Sequence, residues 1–214
     1  MNRLSILTLA FAGSLAITTP SPAKNVAKIV VTPASEEGAI LMRVPSLGVA
    51  YSFLFSKNGS SGFGSRAYLI EAKPAINQSY KYVVRTLKPG SYRLDSISQQ
   101  KFWSVCLKDG TFSVEIRAGE IAYVGDVDPR SALNQLYSSA IANGDRVTSL
   151  GGLHTYWSDI PRPLISRRDA DGLQEAESFV RSMMPASTAP VRIAEMNERT
   201  FVVSGNNQFI QICG

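Results

Sequence analysis

Between residue 27 and residue 126 apolar and polar side chains alternate with a period of two, and pairs of turn-forming residues interrupt the alternation at short intervals. A period of two puts successive side chains on opposite faces of an extended strand, so the chain is committed to sheet before any tertiary argument is made. The expected strands are Ala27–Thr32, Ala39–Val44, one around Tyr51, Phe53 and Phe55, Arg66–Glu71, one around Tyr80, Tyr82 and Val84, Ser91–Ile97, Phe102–Leu107, Thr111–Arg117 and Glu120–Val124. Asn58-Gly59, Lys88-Pro89-Gly90, Asp109-Gly110 and Ala118-Gly119 supply the reversals. In Thr111–Arg117 the residues Phe112, Val114 and Ile116 form one face, and Thr111, Ser113, Glu115 and Arg117 form a wet one. Short strands at this spacing, with no helical period among them, predict an antiparallel sandwich or barrel and disfavour parallel βαβ architecture, and with it the dinucleotide-binding fold.

The period changes at Asp128. Asp128 is placed to cap a helix with Pro129 at its first position, where a missing N–H costs nothing. Leu133, Leu136, Tyr137, Ala140 and Ile141 then form one stripe, and Asn143-Gly144 ends it. A second helix is expected from near Ser166, with Ser166 and Asp169 close to capping-box spacing, to Met184 before Pro185. Its stripe is Leu173, Ala176, Val180, Met183 and Met184. Residues 147–163 read as an irregular connection, and 191–194, 200–203 and 208–213 as short strands, the last two reversing through Gly205-Asn206-Asn207. The fold class is therefore mainly β: an antiparallel β-sandwich with a C-terminal α/β extension of two helices and short strands. Residues 24–128 form the sandwich, and 129–214 a helix-containing extension packed on it.

Residues 1–23 have the layout of a secretory signal peptide, with Arg3, an apolar run from Leu4 to Ile17 and a small-residue cleavage site at Ser21-Pro22-Ala23. The run falls short of the about 20 residues a transmembrane helix needs. No cysteine precedes Cys106, so a lipoprotein anchor has no acceptor. The expectation is a free periplasmic or secreted protein. In an oxidising compartment the only two cysteines, Cys106 and Cys213, are candidates for one disulfide, against the alternative of two buried thiols.

The net charge of +5 is scattered along the chain rather than gathered on one segment, so no nucleic-acid partner is expected; the one tight cluster is Arg162, Arg167 and Arg168. The single histidine, His154, lies in a loop beside Tyr156 and Trp157, and these six residues are the candidate binding positions. No serine or cysteine occupies a nucleophile-elbow setting. Asp169, Asp171 and Gly172 fit part of a calcium loop, but Arg167 and Ser178 stand where its first and last ligands belong, so these acids read as helix-start residues. Asp126 and Asp128 read as turn and cap. No catalytic residue, metal site or cofactor is expected. Gly59–Gly64 has the wrong order for a phosphate loop, and Asn58-Gly59-Ser60 and Asn77-Gln78-Ser79 match the glycosylation pattern. Glu71, Glu115 and Glu120 are available as glycosidase carboxylates.

Leu87-Lys88-Pro89-Gly90-Ser91-Tyr92-Arg93-Leu94, then Phe112-Ser113-Val114 and Ala118-Gly119-Glu120-Ile121-Ala122-Tyr123-Val124-Gly125, form a recognisable cadence. It resembles that of bacterial exported domains of unknown function with transthyretin-like or carboxypeptidase-regulatory-like sandwiches. The resemblance implies turns at Pro89-Gly90 and Gly119 and core positions at Tyr92 and Leu94. It carries over no active-site residue and does not reach residues 130–214. The expected function is non-enzymatic binding of an envelope protein or polymer through a loop end or a sheet edge. The alternatives are a hydrolase of an extracellular polymer and a basic surface-adhesion protein.

Overall fold

The computed structural model describes residues 26–58, 67–100, 102–142, 155–201, 203–204 and 212–213. The strands are β1 Gly38–Pro45, β2 Tyr51–Lys57, β3 Ala67–Ala72, β4 Tyr80–Leu87, β5 Gly90–Gln99, β6 Phe102–Val105, β7 Thr111–Ile116 and β8 Ile121–Asp128. Helix α1 (Arg130–Ala142), β9 (Thr155–Trp157), β10 (Leu164–Ser166), α2 (Ala170–Met183), β11 (Val191–Ile193), β12 (Met196–Arg199), β13 (Val203–Ser204) and β14 (Ile212–Cys213) follow. Sheet A runs β10-β8-β1-β4, with β11 beside β10 on the same edge of β8. Sheet B runs β12-β7-β5-β2-β3, with β6 on β5 and β9 on β6. The protein is a mainly β, mostly antiparallel two-sheet sandwich with two helices. Among the described residues the exceptions are three parallel pairs, β1 with β8, β11 with β8 and β6 with β9.

The reason for the long apolar run in β1 is that it is covered on both faces. Ile40, Met42 and Val44 enter the core between the sheets, whereas Ala39 and Leu41 join Ile121, Tyr123, Ala176, Val180 and Met184 under α2. The molecule thus has three layers, α2 on sheet A on sheet B. A strand buried on both sides reads as continuous rather than alternating hydrophobicity. The same cover reverses the expected faces of β4. Lys81 and Arg85 are paired with Val44 and Ile40 and share their face toward sheet B, while Tyr82 and Val84 turn to the α2 layer.

Other expectations also change. Residues 27–32 form no strand: a 3-10 turn at Val26–Lys28 leads to Val31, whose N–H donates to Ser187 Oγ and whose carbonyl accepts from Thr188 and Ala189, so its backbone groups are used by the segment after α2. The Thr111 and Ser113 side of β7 is buried rather than wet, since Thr111 Oγ1 donates to the Leu94 carbonyl and Ser113 Oγ meets Asn197 and Arg199 of the β12 strand. Helix α1 buries Ala132, Leu133, Leu136 and Ala140 and leaves Tyr137 and Ile141 exposed, a face rotated toward the N-terminal side of the expected stripe. Helix α2 starts at Ala170; its cap is Asp169, whose Oδ1 accepts from the Gly172 N–H at 2.8 Å, and Ser166 belongs to β10. A strand also forms at Met196–Arg199, ahead of the expected 200–203.

β8 runs past Val124 to Asp128 because of a bulge: Leu41 pairs with Tyr123 and Met42 with Gly125. Gly125 has φ +103°, and a Cβ there would collide with the Ser166 carbonyl, so only glycine permits this bulge beside β10. Asp126, expected in a turn, consequently lies within the sheet.

Candidate functional site

Partner strands add to unpaired sheet edges, so the edges are where binding chemistry is sought. The β4 edge is guarded. Lys81, half-buried on the inward face, has its ammonium pKa lowered by burial, against the opposing pull of Glu71, and an inward charge on an edge strand penalises further pairing. The β12 edge carries Asn197, Glu198 and Arg199, all exposed, with Glu198 bound to Arg162 at 2.9 Å.

The β11 edge differs. Ile121 N–H donates to the Pro190 carbonyl and Ala194 N–H to the Tyr123 carbonyl. In a parallel pair alternate residues turn both backbone groups to the same neighbour. Residues 190, 192 and 194 therefore face β8, and the N–H and C=O of Val191 and Ile193 face away, where no strand among the described residues pairs with them. Ile193 is 37% exposed.

A groove of about 430 Å³ runs along this edge. Its apolar lining includes Ala122, Leu173, Val191 and Ile193. Its charges come from the β7–β8 corner, set by Gly119 (φ +68°), where a Cβ would lie 2.5 Å from the Pro33 carbonyl oxygen, and from the crossing of the chain at Ala194-Glu195 into sheet B. Arg117 binds Glu195 with both partners exposed, and Arg192 binds the half-buried Glu120 at 3.1 Å. Glu115 lines the same groove and makes no ion pair among the described residues.

The six candidate binding positions are not brought together as a patch. His154 lies outside the described residues. Trp157 packs against the inter-sheet core and leaves its Nε1 buried without a partner among the described residues. Tyr156 stands on the opposite face of β9, paired across the strands with Trp103, with ring centroids 6.4 Å apart and planes at 31°. Trp103 was not among the expected positions, although an aromatic at the polar phase of β6 was its signal. The three arginines are separately engaged: Arg162 with Glu198, Arg167 with Glu175 at 2.6 Å, and Arg168 donating to the Ala194 carbonyl.

Cys106 is 4% exposed with φ +49°, and no free cysteine occurs among the described residues. The Cys213 side chain lies outside them, as do residues 1–25 with the expected leader, the Gly59–Gly64 loop and the Gly205–Asn207 turn.

One polar row crosses sheet A on its α2 side: Tyr82, Arg43, Asp126 and Ser166 are register partners on β4, β1, β8 and β10, with Asp126 buried, Arg43 and Tyr82 half-buried and Ser166 exposed. Arg43 Nη1 donates to Asp126 Oδ2 at 2.6 Å, and its guanidinium lies 4.4 Å from the centre of the Tyr80 ring. Tyr82 stacks on Phe179 of α2 at 4.4 Å. The hydroxyls of Tyr82 and Tyr123 and the second oxygen of Asp126 are buried without a partner among the described residues. Burial holds both phenols above their ordinary pKa, Glu175 adding to the effect at Tyr82, and the Tyr82 hydroxyl and then Asp126 at Tyr123, so both stay neutral donors. The row fastens α2 to sheet A; it belongs to the support, not the groove.

Comparison of the chain with protein families, curated proteins and solved structures finds no match. Among the described residues no group of three or more His, Cys, Asp and Glu could hold a metal, and no helix is long and apolar enough to cross a membrane.

Proposed function

We propose that this is an exported, non-enzymatic binding protein of the periplasm or extracellular space that docks a partner on the β11 edge of sheet A. The observation that carries the reading is the groove along Val191–Ile193, where an open backbone edge, an exposed isoleucine and fixed charges occur together. The leader-like residues 1–23 support export, and the core-and-turn cadence of residues 87–125 supports a scaffold role rather than a catalytic one. A Cys106–Cys213 bridge is part of the proposal and would tie the C-terminal strand to β6.

The test is site-specific photo-crosslinking in the native envelope. A photoreactive residue at position 193 gives a discrete adduct, and one at Ile76, which is 89% exposed but remote from the groove, gives none. Equal adduct patterns from the two positions contradict the reading.

A second reading has one observation in its favour: Glu115 and Glu120, both available as hydrolase carboxylates, line the same groove. Glu115→Gln would then abolish polymer cleavage, and a mature protein that cleaves no envelope or extracellular polysaccharide removes it. Adhesion through Arg162, Arg167 and Arg168 predicts binding to anionic surfaces that falls steeply with salt.

A further inference from the structure

Resting on the edge-docking reading, we infer that the occupant of the groove is an extended polypeptide segment that adds to β11 as a strand and sets a lysine or arginine against Glu115. The open backbone groups of β11 set the conformation of the occupant. Val191 and Ile193 each offer one N–H and one C=O on the side away from β8, spaced two residues apart, and an extended chain matches that spacing with its own alternate residues.

The side chains of the groove set its chemistry. The groove holds three carboxylates, Glu115, Glu120 and Glu195, against two guanidinium groups, Arg117 and Arg192. Two carboxylates are already matched, Glu195 by Arg117 and Glu120 by Arg192. The uncompensated charge is Glu115, on β7 beside the chain crossing, where its N–H donates to the Glu195 carbonyl at 3.0 Å. An acidic segment would meet this charge unscreened on one side, and a neutral one would leave it unmatched. The apolar side chains of the same segment would rest on Ile193, which is exposed, beside Val191, which is itself partly packed against the α2 cluster.

The test uses the mature protein in residue-resolved NMR titrations with two acetylated and amidated probes, Val-Lys-Val-Lys-Val and Val-Glu-Val-Glu-Val. The lysine probe is expected to move the amide signals of Val191 and Ile193 and to bind more tightly than the glutamate probe. Glu115→Gln should weaken the lysine probe about two- to five-fold, the size of one exposed ion pair. Ile193→Pro should abolish binding, because proline removes the outward N–H and places ring carbons on the edge; an Arg192 amide still protected from hydrogen exchange shows that pairing with β8 survives. Equal binding of the two probes at residues 191–195, or a Glu115→Gln variant of full affinity, overturns the basic-segment inference and leaves edge docking standing. Failure of both probes to move residues 191–195 overturns both.

Discussion

At Arg43 and Asp126 two charges are taken almost wholly out of water, with side-chain exposures of 19% and 9%. Such a pair gains little over an apolar substitute, yet removing one partner strands the other in a medium that cannot solvate it. Asp126→Ala is therefore expected to cost about 3 to 5 kcal/mol in urea unfolding. Replacing both members should cost less than the sum of the two single changes, which a double-mutant cycle measures. Tyr92 makes a pH-dependent contribution. It is fully buried, its hydroxyl donates to the Lys88 carbonyl at 2.7 Å, and burial pushes its pKa up to about 12 from 10.0, with Tyr68 adding to the shift. The folded state disfavours the phenolate, so the stability is intact below pH 10 and is lost as pH rises toward 12. Between pH 9 and pH 11.5 the wild type should lose about 2 kcal/mol more than Tyr92→Phe. Equal losses would show that Tyr92 ionises as freely in the folded protein as in the unfolded chain. Of these residues, Tyr92 was legible through the resemblance of residues 87–94 to exported sandwich domains, which implies a core position for it. Asp126 was not, because the bulge at Gly125 that keeps it in the strand depends on Ser166, forty residues away in the chain and brought alongside only by the fold.

Helix α2 is set by local chemistry at its start and by tertiary packing along its length. Its apolar residues Ala176, Val180 and Met184 were readable from spacing, and all three are buried. Its cap was misplaced by the resemblance of Ser166 and Asp169 to a capping box; the bond from Gly172 to Asp169 resolves the matter, and pairing of Ser166 with Asp126 explains why the helix does not begin earlier. Asp169→Ala should cost about 1 kcal/mol and lower the melting temperature by roughly 2 to 4 °C, read by calorimetry. For β4 the alternation was legible but its direction was not. A period of two says that two faces differ, and gives no sign of which is covered when a helix lies on the outer side. The three-residue strands β9, β10 and β11 fall below the length at which periodicity has meaning, so 191–194 was legible as a short strand but not as the edge of sheet A.

For the whole molecule, the antiparallel sandwich with a C-terminal helical extension follows from strand spacing and turn chemistry, and the structure bears it out. The location of the binding surface does not follow from them, because it arises where β7, β8, α2 and β11 meet, and these elements are contributed by residues 111 to 195. If the protein is exported and oxidised, intact mass should show loss of residues 1–23 and a gain of about 2 Da on reduction, one disulfide's two hydrogens; a full-length mass or no change on reduction counts against export or the bridge respectively. That the β11 edge of sheet A is open is tested most directly by amide hydrogen exchange resolved at residues 191–194. The amides of Arg192 and Ala194, bonded to β8, should be protected to near the global unfolding free energy, while those of Val191 and Ile193 exchange fast. Four equally protected amides would mean that the edge is already occupied, and the account would fail.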